Sequence, residues 1–403
     1  MKIALCPDIH CYYGSRYDVL DDEGGSIRKK EWMRVASKMY SDCRHHGVDV
    51  LIAPGDYFVN PKPTAEQIML VTAMFSAFET AGIPVFGITG NHDVAGAGTK
   101  SMDDIVAEIG RKPGWCFQTF GTKVFEKNGE KVGFAFLPFV KAPEIAAYNP
   151  DFGSKELSER LLQISADLFK KLEGADKKIL VGHWSIQGAI ASSGKTMEAT
   201  LSGVETVLPK GDLIRQGWDA CLFGHIHVPQ VLSDKDNGGP FIAYSGCFQR
   251  INVGEANDRR GFYIYDTKAR TYEFYDLPAI PMKVFEKDIH TEADYKELLE
   301  EIGNTDLSEQ YAYVKYTVDK DNFALVSKKA IEKALEAQNP LSIIGIMPKV
   351  VYANRQRDAS VTEALDSEAA LDKWLTDRET DPERARHVKE KYRDIIEELK
   401  EED

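Results

Sequence analysis

The sequence predicts a layered α/β fold with a second sheet packed on the first, followed by a small α/β unit and C-terminal helices. Two observations support this prediction. Short apolar runs alternate with amphipathic runs of helical length in the N-terminal part, and a strand-rich stretch follows them. The alternation favours parallel strands joined by helices, and the later strands predict a second sheet.

Hydrophobic periodicity places the elements of this fold. The N-terminal order is strand 2–6, helix 28–46, strand 48–53, helix 64–81 and strand 83–89. Gly47 is a stop signal for the first helix. Asn128-Gly129 predicts a tight hairpin turn. A helix over about 154–174 then leads to further strands at 177–182, 218–224, 241–246, 261–266 and 271–277.

A proline-containing stretch marks the predicted domain boundary near residue 280. Residues 1–280 are expected to form the main domain, and residues 281–354 have the pattern of a small β-α-β-α-β unit with helices near 292–302 and 323–338. Residues 355–403 are highly charged and contain two helical candidates. We expect the small unit to cap the main domain and the charged helices to form a tail.

The composition limits the class of protein. The 403 residues are 43% hydrophobic, which is enough for more than one domain. No apolar run approaches the roughly 18 residues of a membrane span, and the N-terminal run is too short for a signal peptide. The six cysteines are scattered without a Cys-x-x-Cys pair. We therefore expect a reduced, cytoplasmic protein without a membrane segment.

The charge is unevenly distributed along the chain. The net charge is −14, which by itself argues against binding to nucleic acid. Residues 281–403 carry 19 Lys and Arg against 29 Asp and Glu, a net charge of −10, whereas residues 1–280 carry 31 against 35, a net charge of −4. Two bound divalent cations would bring the N-terminal part to about neutral.

Polar residues of a restricted kind follow five of the predicted strands. They are Asp8 and His10, then Asp56, then Asn91 with His92 and Asp93, then His183, and finally His225 with His227. Five of the nine histidines lie in these loops. Because the carboxyl ends of strands form one edge in open α/β sheets, we expect the loops to converge there.

Two interpretations of these loops compete. Each short motif taken singly fits an ordinary turn or core position, since Asn and Asp tolerate left-handed backbone. Taken together, the candidate ligands comprise two Asp, one Asn and four His. That set is too large for one metal and suits two borderline ions such as Mn, Fe or Zn.

The constellation D-x-H, G-D, G-N-H-D, G-H and G-H-x-H resembles the calcineurin-like metallophosphoesterases over the first 280 residues. The resemblance implies a two-sheet αββα sandwich with a dinuclear site. It assigns one ion to Asp8, His10 and His227, the other to Asn91, His183 and His225, and the bridging position to Asp56. It further implies that His92 acts on the scissile phosphate and that Asp93 orients the His92 imidazole.

Within that superfamily, three further stretches are similar to the SbcD-type DNA repair nucleases. They are "GDYFVNPKPTAEQI", "GHWSIQGA" and "YSGCFQRINVGE". This resemblance implies a DNA exonuclease or endonuclease of repair and recombination, with two divalent ions, Mn²⁺ being expected. It also implies an SbcC-like coiled-coil ATPase as partner of the C-terminal helices. Val59 and Cys247 depart from the family pattern. The family often has His or Asp at the position of Val59 and commonly has Ser at the position of Cys247.

Two alternative functions share the same sequence features. A small-molecule phosphodiesterase or phosphatase would share the metal site, and a non-catalytic scaffold could retain the fold. The last helix carries an apolar stripe formed by Val388, Tyr392, Ile395, Ile396 and Leu399. Such a stripe can pack on its own domain, form a homodimer or enter a groove of the partner ATPase.

Overall fold

The computed structural model describes residues 1–11, 18–94, 116–140, 154–192, 194–196, 206–351, 367–377 and 381–401. The strands of these residues are β1 (Lys2–Leu5), β2 (Val50–Ala53), β3 (Val85–Ile88), β4 (Cys116–Phe117), β5 (Gly121–Lys127), β6 (Glu130–Leu137), β7 (Lys177–His183), β8 (Ser185–Ile186), β9 (Val207–Leu208), β10 (Ala220–Gly224), β11 (Gln230–Ser233), β12 (Phe241–Tyr244), β13 (Gly261–Asp266), β14 (Thr271–Asp276), β15 (Met282–Ile289), β16 (Tyr311–Asp319) and β17 (Ser342–Val351). The α-helices are α1 (Ile27–His45), α2 (Ala65–Thr80), α3 (Ser154–Lys171), α4 (Lys210–Gln216), α5 (Glu292–Gly303), α6 (Lys328–Glu336), α7 (Ser367–Asp377) and α8 (Pro382–Glu401).

Two six-stranded sheets form the N-terminal part. The first has the order β14-β13-β1-β2-β3-β4, and its strands β1 to β4 are parallel. The second has the order β11-β12-β10-β7-β6-β5, and its four central strands are parallel. Antiparallel strands close one edge of the first sheet and both edges of the second. The carboxyl ends of the parallel strands therefore define one end of each sheet.

Three apolar clusters account for the layering. One lies between the sheets and joins residues such as Ile52 and Phe86 of the first sheet to Phe134 and Leu222 of the second. Another joins the first sheet to α1 and α2, and the third joins the second sheet to α3 and α4. Helix, sheet, sheet and helix thus follow in four layers, which confirms the predicted αββα sandwich.

The local signals explain the element boundaries. Ser26 caps α1 by accepting a hydrogen bond from the Lys29 backbone N–H, and Thr64 with Gln67 forms a capping box on α2. The predicted hairpin is present, with Asn128 and Gly129 at φ of 53° and 79° between β5 and β6. These positive φ values are those that a two-residue type I′ turn requires.

The sequence prediction differs from the structure at a few places. Strands β4, β8 and β9 have two residues each, which is too short for a periodic signal. The helix predicted over 323–338 is a 3₁₀ helix at Lys320–Leu325 followed by α6. Ser327 separates the two because its side chain caps α6 at the Ala330 backbone N–H. A capping serine begins a helix more readily than it continues one.

The C-terminal part contains the three-stranded sheet β15-β16-β17 and four α-helices among the residues that the structure describes. The chain packs as two compact units, of which one comprises Met1–Lys287, Lys296–Lys315 and Ser327–Met347, and the other Asp288–Tyr295, Tyr316–Val326 and Pro348–Asp403. The predicted domain boundaries near 280 and 354 stay a prediction. Within the described ranges, no helix is both long and apolar enough to cross a membrane.

Candidate metal centre

The carboxyl ends of the parallel strands carry all nine predicted site residues. Asp8 and His10 follow β1, Asp56 follows β2, and Asn91, His92 and Asp93 follow β3. His183 ends β7, and His225 and His227 follow β10. The first three loops belong to one sheet and the last two to the other, so the site lies at the end of the sandwich where the carboxyl ends of both sets of parallel strands lie side by side.

One group of candidate ligands forms around His10. Its Nε2 atom lies 3.2 Å from Nε2 of His227, which in turn is 3.9 Å from Oδ2 of Asp8. A second group forms around Asn91. Its Oδ1 atom lies 2.9 Å from Nε2 of His183 and 3.1 Å from Nδ1 of His225. The structure thus brings together the two ligand groups that the resemblance implied.

Asp56 lies between the two groups. Its Oδ2 atom is 3.4 Å from Nε2 of His10 and 3.3 Å from Nε2 of His183. Its other oxygen, Oδ1, accepts a hydrogen bond from the His92 backbone N–H at 2.9 Å. A carboxylate oxygen shared by both groups has the geometry of a bridging ligand.

Backbone carbonyls fix which nitrogen of two of the imidazoles faces the site. Nδ1 of His10 lies 3.2 Å from the Phe58 carbonyl oxygen, and Nδ1 of His183 lies 2.6 Å from the Pro54 carbonyl oxygen. Because a carbonyl oxygen accepts only, each Nδ1 carries the proton. The Nε2 lone pairs therefore point into the site, where a cation can bind them.

The donor atoms fit divalent ions. Asp8 is fully buried, and its Oδ1 atom has no hydrogen-bond partner among the described residues. Burial raises the pKa of Asp8 well above its ordinary value, outweighing His183, which lowers it. A buried carboxylate with an unpaired oxygen would be stabilised in its ionised form by a cation beside it. The nitrogen and oxygen donors together suit borderline metals.

The pKa values of His10 and Asp56 agree with this assignment. Burial lowers the pKa of His10 to about 3, so its imidazole is neutral and can donate a lone pair. Burial alone would raise the pKa of Asp56, but His183 and His10 outweigh burial and hold the pKa below its ordinary value. Burial opposes the charge of His183, yet Asp56 raises the His183 pKa above its ordinary value, so an ion that binds this imidazole must displace a proton.

His92 lies at the edge of the centre. One ring nitrogen of His92, one of His10 and a carboxylate oxygen of Asp56 lie within 4.8 Å of one another. The His92 ring meets the His10 ring edge-on, with the ring centroids 4.8 Å apart. The Val59 carbonyl oxygen is 2.7 Å from Nδ1 of His92 and fixes the tautomer. The orienting role predicted for Asp93 therefore needs correction, because in the structure the Val59 carbonyl makes that contact.

Asp93 instead organises the loop that carries Asp56. It is fully buried, and its two oxygens accept backbone hydrogen bonds at 2.7–3.3 Å. The donors are the N–H groups of Asp56, Tyr57, Phe58 and Gly90. Asp93 thus holds the second and third loops together behind the ligands.

The backbone is strained and tightly packed at the centre. His10, Asp56 and His225 have φ of 38°, 52° and 94°, which are sparsely populated values for residues with a side chain. A Cβ atom on Gly90 would lie 2.2 Å from Oδ1 of Asp56, and one on Gly224 would lie 2.5 Å from Oδ1 of Asp8. These glycines are needed because the loops approach the carboxylates without room for a side chain.

Glu255 contacts the site, although the sequence assigned it no role there and matched it only through the resemblance to the SbcD-type nucleases. Its Oε1 atom lies 2.9 Å from Nδ1 of His227, and Arg260 pairs with its other oxygen. Glu255 lies eleven positions after the end of β12, and no regular spacing in the sequence relates it to His227. Its presence in the stretch "YSGCFQRINVGE" was the only available signal.

Comparison with a family model identifies the chain. Residues 1–229 match the model of the calcineurin-like phosphoesterases. The chain belongs to this family. The chemistry of the family is the hydrolysis of phosphoesters. This calcineurin-like phosphoesterase has His and Asp groups that could bind metal.

Several curated proteins are similar to this phosphoesterase. The SbcD component of the SbcCD nuclease from Staphylococcus saprophyticus is 24% identical over 284 residues, which cover 66% of this chain and 67% of that protein. The DNA double-strand break repair proteins Mre11 of Methanopyrus kandleri and Archaeoglobus fulgidus are each 23% identical, covering 58% and 76% of this chain and 47% and 66% of their own lengths. The chain thus spans between about half and two thirds of the length of these relatives.

Solved structures that are similar to this chain include a dimetal phosphatase from Danio rerio. It is 10% identical with a TM-score of 0.39, and the match covers 66% of this phosphoesterase and 91% of that chain. The calcineurin-like phosphoesterase YfkN of Bacillus subtilis is 16% identical with a TM-score of 0.37, covering 68% and 88%.

Proposed function

We propose that the chain is a two-metal-dependent phosphodiesterase that cleaves DNA as an exonuclease or endonuclease. We further propose that it is the nuclease component of an SbcCD-type repair or recombination complex. The observation that carries the proposal is the pair of donor groups sharing Asp56. The similarity to an SbcD protein over 66% of the chain supports DNA as the substrate class.

In this proposal Asp8, His10 and His227 hold one divalent ion, and Asn91, His183 and His225 hold the other, with Asp56 shared. Two such ions, proposed to be Mn²⁺, supply Lewis acidity toward the phosphoester and make a nucleophile available at neutral pH. The protein holds these ligands in place before any ion arrives, because burial and backbone hydrogen bonds fix Asp8, Asp56 and His183.

His92 is proposed as the group that meets the scissile phosphate. The Val59 carbonyl oxygen accepts a hydrogen bond from the His92 Nδ1–H, so Nε2 is the nitrogen left to exchange a proton or a hydrogen bond with an oxygen of the substrate. His92 is half-buried, whereas Asp8, His10 and His183 are fully buried, so a substrate can reach it. The bridging Asp56 also fixes the His92 backbone, which keeps the imidazole in register with the centre.

The C-terminal helices are proposed to bind an SbcC-like coiled-coil ATPase. Helices α7 and α8 are joined by ion pairs between Arg393 and Glu368 at 2.6 Å and between Lys389 and Asp372 at 2.7 Å. On α8, Val388 and Tyr392 of the predicted stripe are half-buried. The side chains of Ile395, Ile396 and Leu399 lie outside the described residues.

We propose that the protein is cytoplasmic and that residues 281–354 cap the centre. All six cysteines are free in the structure. Free cysteines agree with a reducing compartment. A homodimer through α8 is the alternative to ATPase binding, and the partner experiment below distinguishes the two.

The substrate proposal is tested with three substrates in Mn²⁺. They are p-nitrophenyl phosphate, its bis ester and an end-labelled DNA duplex, each with the wild-type chain and with Asp56→Ala. We expect the wild type to cleave the duplex and the diester well and the monoester poorly. Hydrolysis of the monoester alone, or duplex cleavage that survives in Asp56→Ala, would reject the proposal.

The partner proposal is tested by removing the residues after about 355. The truncated chain should still cleave the small diester with Mn²⁺, which shows that it is folded. It should lose association with a co-expressed SbcC-like ATPase in pull-down. Equal association of the truncated and full chains would contradict ATPase binding through the C-terminal helices, and dimers of the free full chain that vanish on truncation would favour the homodimer.

A further inference from the structure

Cys247 lies beside the group of ligands formed by Asp8, His10 and His227. We propose that its sulfur is an additional ligand of that group, so that this half of the centre binds thiophilic ions such as Zn²⁺ and Co²⁺ more tightly than the Mn²⁺ proposed for the centre as a whole. The inference rests on the proposed function, because it adds a ligand to one of the two proposed metal positions. It concerns a residue that departs from the pattern of the SbcD-type nucleases.

The donor atoms of Cys247, His10 and His227 converge. The sulfur and one nitrogen of each histidine lie within 4.8 Å of one another, and Cys247 and His10 are buried. Zinc–sulfur bonds are about 2.3 Å and zinc–nitrogen bonds about 2.0–2.1 Å, so two ligands of one ion lie at most about 4.4 Å apart. The three donor atoms are therefore close to the spacing that binding to one ion requires.

The backbone fixes Cys247 next to Asp8. The two residues form a parallel β-bridge, with hydrogen bonds from the Asp8 N–H to the Gly246 carbonyl at 2.8 Å and from the Phe248 N–H to the Asp8 carbonyl at 2.9 Å. Residues directly paired in this way present their side chains on the same face. The sulfur and the Asp8 carboxylate are therefore held on one side of the chain.

A second observation points to a cation at the same place. The Asp8 Oδ1 atom is buried and has no hydrogen-bond partner among the described residues. With the shared Asp56, this position would then offer two carboxylates, two imidazoles and one sulfur, all of them donor types that zinc binds. Sulfur ligands select thiophilic metals, whereas Mn²⁺ prefers oxygen donors.

Cys11 provides a matched comparison. It is also buried and adjacent in sequence to His10, but its sulfur lies 3.7 Å from the Gln67 carbonyl oxygen, toward α2. A buried cysteine is often only a small apolar residue. Cys11 fits that description, because its sulfur does not belong to either group of donor atoms that could share an ion among the described residues.

The test is cobalt titration of the full-length chain under reducing conditions. Wild-type protein should develop visible d–d absorption together with a near-ultraviolet sulfur-to-cobalt charge-transfer band. Cys247→Ser should lose the charge-transfer band and keep the d–d absorption, and Cys11→Ser should keep both. In competition titrations, Cys247→Ser should lower Zn²⁺ affinity by at least about tenfold, comparable to the loss of an ordinary outer-shell partner, and lower Mn²⁺ affinity less.

The outcomes separate this inference from the proposed function. Wild-type d–d absorption without a charge-transfer band would overturn sulfur ligation while leaving the metal centre intact. Absence of any cobalt absorption would overturn the metal centre and this inference together. A charge-transfer band that persists in Cys247→Ser would also reject the assignment. The wild-type spectrum decides whether sulfur is a ligand even if the Cys247→Ser variant does not fold.

Discussion

Glu255 lies behind His227, with its Oε1 atom 2.9 Å from Nδ1 of the imidazole. Asn252 and the Ile251 backbone N–H donate to the same carboxylate, and Arg260 pairs with it. Burial would raise the pKa of Glu255, but His227 and Arg260 outweigh burial and hold the pKa below its ordinary value. An ionised carboxylate here keeps the proton on Nδ1 and turns Nε2 toward the metal centre.

Glu255→Gln should therefore weaken metal binding without removing any ligand. Loss of an outer-shell carboxylate typically costs about 10–100-fold in metal affinity or activity. Calorimetric titration with Mn²⁺ measures the affinity. Glu300→Gln, an exposed position on α5, is the matched control and should bind as the wild type does. Equal affinity of the two variants would show that Glu255 has no role in metal binding.

Asp56→Ala should lose both bound metal and turnover. A single oxygen of Asp56 lies within 3.4 Å of a histidine in each of the two ligand groups. Its removal leaves two cations without the negative charge between them. Metal content measured by atomic emission, together with diester hydrolysis, checks this. A variant that retains two ions and the wild-type rate would refute the bridging assignment.

His92→Ala should retain metal but lose most of its activity. The imidazole lies at the edge of the donor groups, and its Nδ1 atom is engaged by the Val59 carbonyl oxygen. A general acid or base contributes typically about 10²–10⁴-fold to rate. The rate constant for DNA cleavage and the metal content are both measured, and DNA binding should persist. An unchanged rate, or the loss of one ion, would count against this role.

Gly90→Ala should disrupt the centre although it adds only one methyl group. That Cβ atom would lie 2.2 Å from Asp56 Oδ1 and 2.3 Å from the Asp56 backbone nitrogen, so the backbone itself must shift. Gly303→Ala is the control, because a Cβ atom there meets nothing within 4 Å. We expect metal affinity to fall in the first variant only. Normal Mn²⁺ binding by Gly90→Ala would show that the loop accommodates the change.

The elements that the sequence predicted best are those with a strong local pattern. Strand β13 was predicted at 261–266 and occupies Gly261–Asp266, and the Asn128-Gly129 turn joins β5 to β6 as predicted. Two-residue strands such as β4 and β8 were not predicted, because they depend on a neighbouring strand rather than on their own periodicity. The interruption of the 323–338 helix at Ser327 was also missed.

The sequence by itself determined which residues could form the site. Asp8, Asp56, Asn91, His183 and His225 each follow an apolar run, and strand direction then brings them to one edge. Only the tertiary structure decided how each side chain is oriented. The groups that orient His10, His183 and His92 are the carbonyls of Phe58, Pro54 and Val59. Because every residue has a carbonyl, no residue type signals these contacts, and only the folded chain places the carbonyl beside the imidazole.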